Sequence, residues 1–177
     1  MVGIAVALML ISPELVLIFG SPKYHEAVYV IPPVAASVFF IFIYNILSMP
    51  QFYYEKTQFL MAASMAAAGA NVVLNFIFIH LFGYIAAGYT TLACYMLYSV
   101  GHYIVSKRIL VNEGIQENLM NPGFLLACSV FLIGASIICN LIFPYRILRY
   151  AILLASAGLV FWKKELLLKT MADIRKK

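Results

Sequence analysis

Charged residues are scarce in this sequence: Asp, Glu, Lys and Arg make up only 11% of its 177 residues, whereas 64% are hydrophobic. So little polar material excludes an ordinary water-soluble fold of this size. The net charge of +5 does not indicate nucleic-acid binding, because the basic residues gather at the ends of apolar blocks and in the C-terminal tail. We therefore expect a membrane protein that contacts lipids and binds no nucleic acid.

The motifs of the common enzyme classes are also missing. The sequence has no Gly-rich phosphate loop with its lysine, no HExxH metal motif and no nucleophile–base constellation. Its three cysteines stand singly inside apolar blocks, without CxxC spacing, and are expected to act as small buried hydrophobes: Cys94, Cys128 and Cys139. We expect no enzyme activity, no cofactor, no bound metal and no nucleotide hydrolysis by this chain.

What the sequence does contain is six long apolar blocks separated by short polar breaks. The blocks are 2–19, 27–49, 58–82, 84–106, 123–143 and 146–162. A helix rises about 1.5 Å per residue, so about 20 residues cross a hydrocarbon core of roughly 30 Å. Because that layer offers no water to unpaired backbone groups, each block is predicted to be a helix. The predicted fold is all-α, a polytopic transmembrane bundle of six spans.

The distribution of Lys and Arg predicts how these spans are organised and oriented. Segment 1–110 is predicted to hold four spans, 111–122 a cytoplasmic loop, 123–162 two further spans, and 163–177 a basic cytoplasmic tail. Six spans put both termini on one side, and nine of the 12 basic residues then lie on that side. Because basic residues favour the cytoplasm, we predict a multi-pass protein of the plasma (inner) membrane with both termini cytoplasmic. The tail is interpreted either as a surface helix on anionic lipid or as a disordered basic segment.

Prolines interrupt two of the blocks. Pro13 is expected to kink or end the first helix near the outer interface. Pro32 and Pro33 lie inside the second block, where a proline pair removes two backbone donors. Two interpretations of this pair stay open, a packing irregularity and a bend that acts as a hinge or cavity wall.

Small residues predict close helix packing around the third and fourth blocks. Ala62, Ala66 and Ala70 recur every four residues and form one stripe. Gly83 and Gly88 flank the short break that joins the two blocks. Since small side chains let helix backbones approach one another, these positions are predicted packing contacts, and the two blocks a tight hairpin.

Ionisable and amide side chains inside the blocks are the candidates for substrate or cavity contacts: Glu14, Asn45, Asn71 and Asn75. Glu14 is interpreted either as an acid at the outer interface or as a cavity or ion-coupling residue. Asn71 and Asn75 share one helix face and serve either interhelical hydrogen bonds or substrate contacts, and the same choice applies to Asn45. His102, near the end of the fourth block, is expected to be an interfacial group.

Three stretches resemble the polysaccharide flippases of the multidrug/oligosaccharidyl-lipid/polysaccharide exporter superfamily. Segment 71–91 is similar to their N-x-x-L-N … I-P-x-F-G-x-x-G-A-A-x-A-T signature. Segments 19–27 and 54–57 are similar to two further signatures, in the family's order along the chain. The match departs at His80, which stands where the family usually has proline. The resemblance covers most of the chain.

This resemblance implies the last six helices of a fourteen-helix flippase. The expected function is then that of the C-terminal portion of a transporter that flips or exports lipid-linked oligosaccharides for cell-surface polysaccharide biosynthesis, inactive without the N-terminal helices. The implied partners are the lipid-linked oligosaccharide and the N-terminal half of such a protein. Two alternatives stay open: a small six-helix assembly protein that acts as a homo-oligomer, and part of a multidrug antiporter.

Overall fold

A computed structural model describes residues 1–115 and 120–162 of the chain. Within them the fold is all-helical, with six α-helices, one 3₁₀ helix and no strand. The elements are α1 (Val2–Phe19), the 3₁₀ helix (Pro22–Val30), α2 (Ile31–Tyr53), α3 (Gln58–Phe82), α4 (Ala86–Asn112), α5 (Pro122–Ile142) and α6 (Arg146–Trp162). The described residues up to Asn140 form one compact unit, and those from Leu141 to Trp162 belong to a second. The predicted organisation into 1–110, 111–122 and 123–162 stays a prediction. The predicted basic tail, 163–177, lies outside the described residues.

Four helical segments of the described chain are long and apolar enough to cross a membrane. They are Val2–Phe19, Pro22–Tyr53, Gln58–Phe82 and Pro122–Ile142. The all-α membrane class is therefore confirmed, but the count of six spans is not. Helix α4 carries polar side chains along much of its length, and α6 has only 17 residues. Spans at α4 and α6 stay predictions.

The second helix begins and ends later than its predicted block. It covers 31–53 instead of 27–49, so Pro32 and Pro33 fall in its first turn. The pair therefore stands at the junction of the 3₁₀ helix and α2, inside the apolar segment Pro22–Tyr53. Both interpretations of the pair stay predictions.

Helix α1 continues through Pro13 to Phe19, so the expected helix end near this proline is wrong. A residue at position 13 would normally donate its N–H to the carbonyl of Met9, and proline has none. The hydroxyl of Ser12 donates to that carbonyl instead, at 2.7 Å, and Ser12 is fully buried. A neighbouring side chain thus compensates for the donor that Pro13 lacks.

The core of the larger unit lies between α2 and α4, which run parallel. The hydroxyl of Ser99 donates to the carbonyl of Phe40 at 2.9 Å, and further along both helices the hydroxyl of Ser106 donates to the carbonyl of Leu47. Small hydroxyl side chains of this kind join membrane helices while letting their backbones come close. Helix α3 connects these two helices in the chain and packs antiparallel to α4, since Ser64 contacts Tyr98 and Asn75 contacts Thr90.

Side-chain contacts place alternate breaks at opposite ends of this unit. At one end Lys56 Nζ, between α2 and α3, lies 3.6 Å from Glu113 Oε1, directly after α4. At the other end the Tyr84 hydroxyl, between α3 and α4, donates to Glu26 Oε2 of the 3₁₀ helix at 3.0 Å. The first and third breaks therefore share one end, and the second and fourth share the other, as a chain that crosses a bilayer repeatedly requires.

The two predicted packing glycines have different surroundings. A Cβ atom on Gly88 would lie 2.8 Å from Pro33 Cγ and 2.9 Å from the Val30 carbonyl oxygen, so α4 approaches the start of α2 too closely for a side chain. Gly83 has open space around it, but its φ of +77° is a conformation that favours glycine. Gly88 therefore permits close packing, and Gly83 permits the turn.

The alanine stripe of α3 is not covered by the other described helices of residues 1–140. Ala62, Ala66 and Ala70 are all exposed, and no residue of α3 is buried. The inward face lies one residue further round, where Ala67 and Asn71 face α4. A helix partner for the stripe would have to come from outside the residues described.

Candidate functional site

A cleft of about 470 Å³ lies between α2, α3 and α4. Its lining combines aromatic, amide, hydroxyl and small side chains: Tyr44, Ser64, Ala67, Ala68, Asn71, Val72, Thr91, Cys94, Tyr95 and Tyr98. None of these side chains is charged. Polar groups on membrane helices usually face a bundle interior or a water-filled cavity, so this lining marks the cleft as the candidate binding site.

One wall of the cleft is a group of tyrosines around Tyr44. The ring of Tyr95 is parallel to that of Tyr44, with centroids 6.4 Å apart, and the ring of Tyr98 meets Tyr44 edge-on at 4.6 Å. The Tyr98 hydroxyl is held 2.6 Å from the hydroxyl of Ser64 on α3. This wall is rigid and apolar on its ring faces, but it carries hydroxyl groups at its edges.

The opposite wall contains the predicted site residue Asn71, which is hydrogen-bonded to a second one, Asn75, outside the lining. Asn75 Nδ2 donates to Asn71 Oδ1 at 2.9 Å, and the Thr90 hydroxyl of α4 donates to Asn75 Oδ1. This chain satisfies Asn75 but leaves the amide nitrogen of Asn71 without a hydrogen-bond partner among the described residues. The hydroxyls of Thr91 and Tyr95 have no partner there either. The cleft therefore presents uncharged donors and acceptors beside aromatic rings.

A buried polar cluster of Gln51, His102 and Ser106 lies at one end of the cleft. The Ser106 hydroxyl gives its single proton to the Leu47 carbonyl, so it accepts the hydrogen bond from Gln51 Nε2, at 2.9 Å. The second proton of Gln51 Nε2 faces His102 Nδ1, also at 2.9 Å. His102 Nδ1 is then an acceptor, which assigns the neutral tautomer with its proton on Nε2.

His102 connects this cluster to the aromatic wall. Its ring meets Tyr98 edge-on at 4.5 Å and also lies beside Tyr44 and Phe59. Its side chain is 0% exposed and lies inside the helix bundle. Its position near the membrane interface stays a prediction. Because α2 extends to Tyr53, Gln51 belongs to the helix and covers His102, instead of lying in a surface break.

The other predicted site residues do not line this cleft. Asn45 is exposed on α2, and its Nδ2 donates to the carbonyl of Ile41 in its own helix at 2.7 Å. Glu14 is half-buried on α1. Of the three cysteines only Cys94 lines the cleft, and all three are free thiols.

Sequence reasoning missed the aromatic wall and the buried cluster, although α4 carries a signal for both. Thr91, Tyr95, Tyr98 and His102 recur at helical spacing along one face of α4. A polar and aromatic stripe of this kind predicts an inward-facing surface. Of these four residues only His102 was considered as a candidate from the sequence, so the stripe was not predicted.

The site contains no arrangement that would hold a metal through side chains. Within the described residues no three His, Cys, Asp or Glu side chains are grouped as metal ligands. No family model, no curated protein and no solved structure matches this chain. The resemblance to polysaccharide flippases therefore rests on the sequence signatures alone, and function has to be argued from the cleft.

Proposed function

We propose that this chain is part of a membrane transporter that moves a lipid-linked oligosaccharide or polysaccharide precursor across the bilayer, and that the cleft between α2, α3 and α4 contacts its sugar. The uncharged lining carries this proposal. A sugar offers hydroxyl groups that need both donors and acceptors, and it has apolar C–H faces that pack on aromatic rings. Asn71 and Thr91 supply the polar partners, and Tyr44 and Tyr95 supply the rings.

The proposed setting is the plasma membrane, with six spans and both termini in the cytoplasm. In this arrangement α4 and α6 cross the bilayer together with the four more apolar segments. The polar stripe of α4 then faces the cleft, which explains how a helix with so many hydroxyl groups is accommodated at membrane depth. In the flippases that the chain resembles, further N-terminal helices form a second lobe, and we propose that transport requires such a lobe.

The test is photolabelling of the protein in lipid nanodiscs with a lipid-linked oligosaccharide that carries a photoreactive group on its sugar. Asn71→Leu removes a polar group from the cleft and is expected to lower labelling at least about tenfold, which corresponds to about 1.4 kcal/mol. Asn45→Leu is the matched control, because Asn45 is exposed and lies outside the cleft. We expect its labelling to equal that of the wild type.

Two results would contradict the proposal. One is equal labelling of the Asn71 and Asn45 variants. The other is undiminished labelling in the presence of an excess of the free oligosaccharide, which would show that only the lipid portion is bound. A photoreactive cationic drug used in parallel tests the alternative of a multidrug antiporter.

The outward stripe on α3 favours a second candidate function, that of a homo-oligomeric assembly protein. Ala62, Ala66 and Ala70 form an exposed surface of small side chains, the kind of surface at which membrane helices pack closely. Chemical cross-linking in native membranes distinguishes the candidates. A defined oligomer that Ala66→Leu dissociates supports the assembly protein, and its absence supports the transporter.

A further inference from the structure

A second, apolar groove runs along the other side of α4 from the cleft. Its volume is about 250 Å³, and it lies between α2, α4 and the N-terminal half of α5. Helix α5 is joined to the bundle near its other end, where Asn140 Nδ2 donates to the Tyr89 hydroxyl at 2.7 Å and to the Tyr29 carbonyl at 3.3 Å. The end of α5 thus lies beside the start of α4, whereas Pro122 and Leu125, at the start of α5, line the groove with residues further along α4. Helix α5 therefore runs antiparallel to α4.

The groove offers almost nothing to a polar ligand. The hydroxyls of the two serines that line it already donate to backbone carbonyls. Ser99 shares its proton between the carbonyls of Phe40 and Tyr95, and Ser129 donates to the carbonyl of Leu125. The remaining lining is apolar except at one end, where Tyr103 lies. A ligand that fits most of the length of this groove is a hydrocarbon chain.

A basic side chain lies near the end of the groove at Tyr103 and Pro122. Val100, Tyr103 and Lys107 follow one face of α4 at helical spacing, so Lys107 lies one turn beyond the groove on the same face. Lys107 is exposed, and no carboxylate lies within ion-pair distance of it among the described residues. The hydroxyl of Tyr103 also has no hydrogen-bond partner there. The groove thus combines an apolar channel with a cation near its mouth that has no ion pair within the described residues.

We propose that this groove binds one acyl chain of an anionic phospholipid, whose phosphate group lies at Lys107. The apolar lining matches the chain, and the Lys107 ammonium and the Tyr103 hydroxyl match the phosphate. The site is separate from the proposed sugar cleft, because the two lie on different faces of α4. Either proposal can therefore fail without the other.

For the test, the protein is placed in nanodiscs with equal amounts of phosphatidylglycerol and phosphatidylcholine. Native mass spectrometry then counts the lipids that stay bound to the protein after it is released from the nanodisc. We expect the wild type to retain phosphatidylglycerol in preference, and Lys107→Gln to lower that preference about fivefold. Arg108→Gln is the matched control, because it removes the same charge from the next position, which does not follow the face of the groove. Equal losses in the two variants would overturn the site, since they would indicate general attraction to the anionic surface.

A second measurement tests whether the chain lies in the groove. Leu125 lines the groove and is half-buried, so Leu125→Trp fills the groove and is expected to abolish the retained lipid. Phe124→Trp changes an exposed neighbour outside the lining and should leave the retained lipid unchanged. Phosphatidylglycerol with a photoreactive acyl chain, applied to the wild type, should label the peptide that contains residues 122–129. Labelling spread evenly over the exposed helices would overturn the proposal, and this measurement does not depend on how the Leu125 variant folds.

Discussion

Gln51 Nε2 lies 2.9 Å from His102 Nδ1 across the contact between α2 and α4, and both side chains are 0% exposed. The same amide nitrogen is bonded to Ser106, so one glutamine satisfies two polar groups of the neighbouring helix. A buried polar group that loses its partner destabilises a fold more than the hydrogen bond itself stabilises it. This cluster is therefore expected to fix the register between the two helices.

Replacing Gln51 with leucine should destabilise the protein. Gln51→Leu leaves His102 Nδ1 and the Ser106 oxygen without their donor, at an expected cost of about 1–3 kcal/mol in the free energy of unfolding. Thermal unfolding in detergent, followed by circular dichroism, measures the loss. Asn45→Leu in the same helix is the control and should change stability by less than about 0.5 kcal/mol. Equal losses would mean that the cluster does not fix the register.

A methyl group should be tolerated very differently at two glycines. Gly88→Ala places a Cβ atom 2.8 Å from Pro33 Cγ and 2.9 Å from the carbonyl oxygen of Val30, so we expect a loss of about 1–3 kcal/mol. Gly69→Ala is the matched control within α3, where nothing lies within 4 Å of the new Cβ. There alanine should be neutral or stabilise the helix by about 0.5–1 kcal/mol. A Gly88 variant as stable as the wild type would contradict the close approach of α4 to the start of α2.

The sequence predicted the helices well, because the apolar blocks are long and their breaks contain turn-forming residues. The bounds of α1, α3 and α6 agree with the predicted blocks, and those of α5 differ by one residue. The bounds of α2 and α4 were less accurate, since both helices continue into polar sequence. Gln51, Lys107 and Arg108 look like loop residues when only hydrophobicity is considered, although all three are helical.

Packing faces were harder to predict than helices. Ala66 and Ala67 are equally small, and a rotation of about 100° between neighbouring positions decides which of them faces α4. The sequence favoured the row that contains Ala66, but the cleft is lined by Ala67 and Asn71. Hydrogen bonds between helices are also invisible in a sequence, since the partners of Asn75 and Gln51 are distant in the chain. The tyrosine wall could have been predicted from the spacing within α4, but not its contact with Tyr44.

Two neighbouring threonines should separate stability from binding. Thr90→Val removes the hydrogen bond to Asn75 and should destabilise the hairpin of α3 and α4 by about 0.6–2 kcal/mol. Thr91→Val makes the same change where the hydroxyl has no partner in the described chain, so stability should be preserved. If the cleft binds a sugar, Thr91→Val should weaken photolabelling by the lipid-linked oligosaccharide. The reverse pattern, with Thr91→Val the less stable variant, would contradict the assigned hydrogen bonds.

Cross-linking of cysteine pairs should reproduce the alternation of the breaks. In a background of Cys94→Ala, Cys128→Ala and Cys139→Ala, the pair Lys56→Cys with Glu113→Cys is expected to react with a short bis-maleimide, since the native side chains are 3.6 Å apart. The pair Glu26→Cys with Tyr84→Cys should react at the opposite end. Lys56→Cys with Tyr84→Cys is the negative control, because the 25 residues of α3 separate the two positions by about 37 Å.

The same single cysteines test the predicted orientation. A maleimide that does not cross membranes should label Lys56→Cys in inside-out vesicles and Tyr84→Cys in right-side-out vesicles, because the basic end of the bundle is predicted to be cytoplasmic. Labelling of both positions from the same side would contradict a spanning α3. Labelling with the two sides exchanged would leave the alternation intact and reverse the predicted orientation, so that Lys107 and its groove would then belong to the outer leaflet.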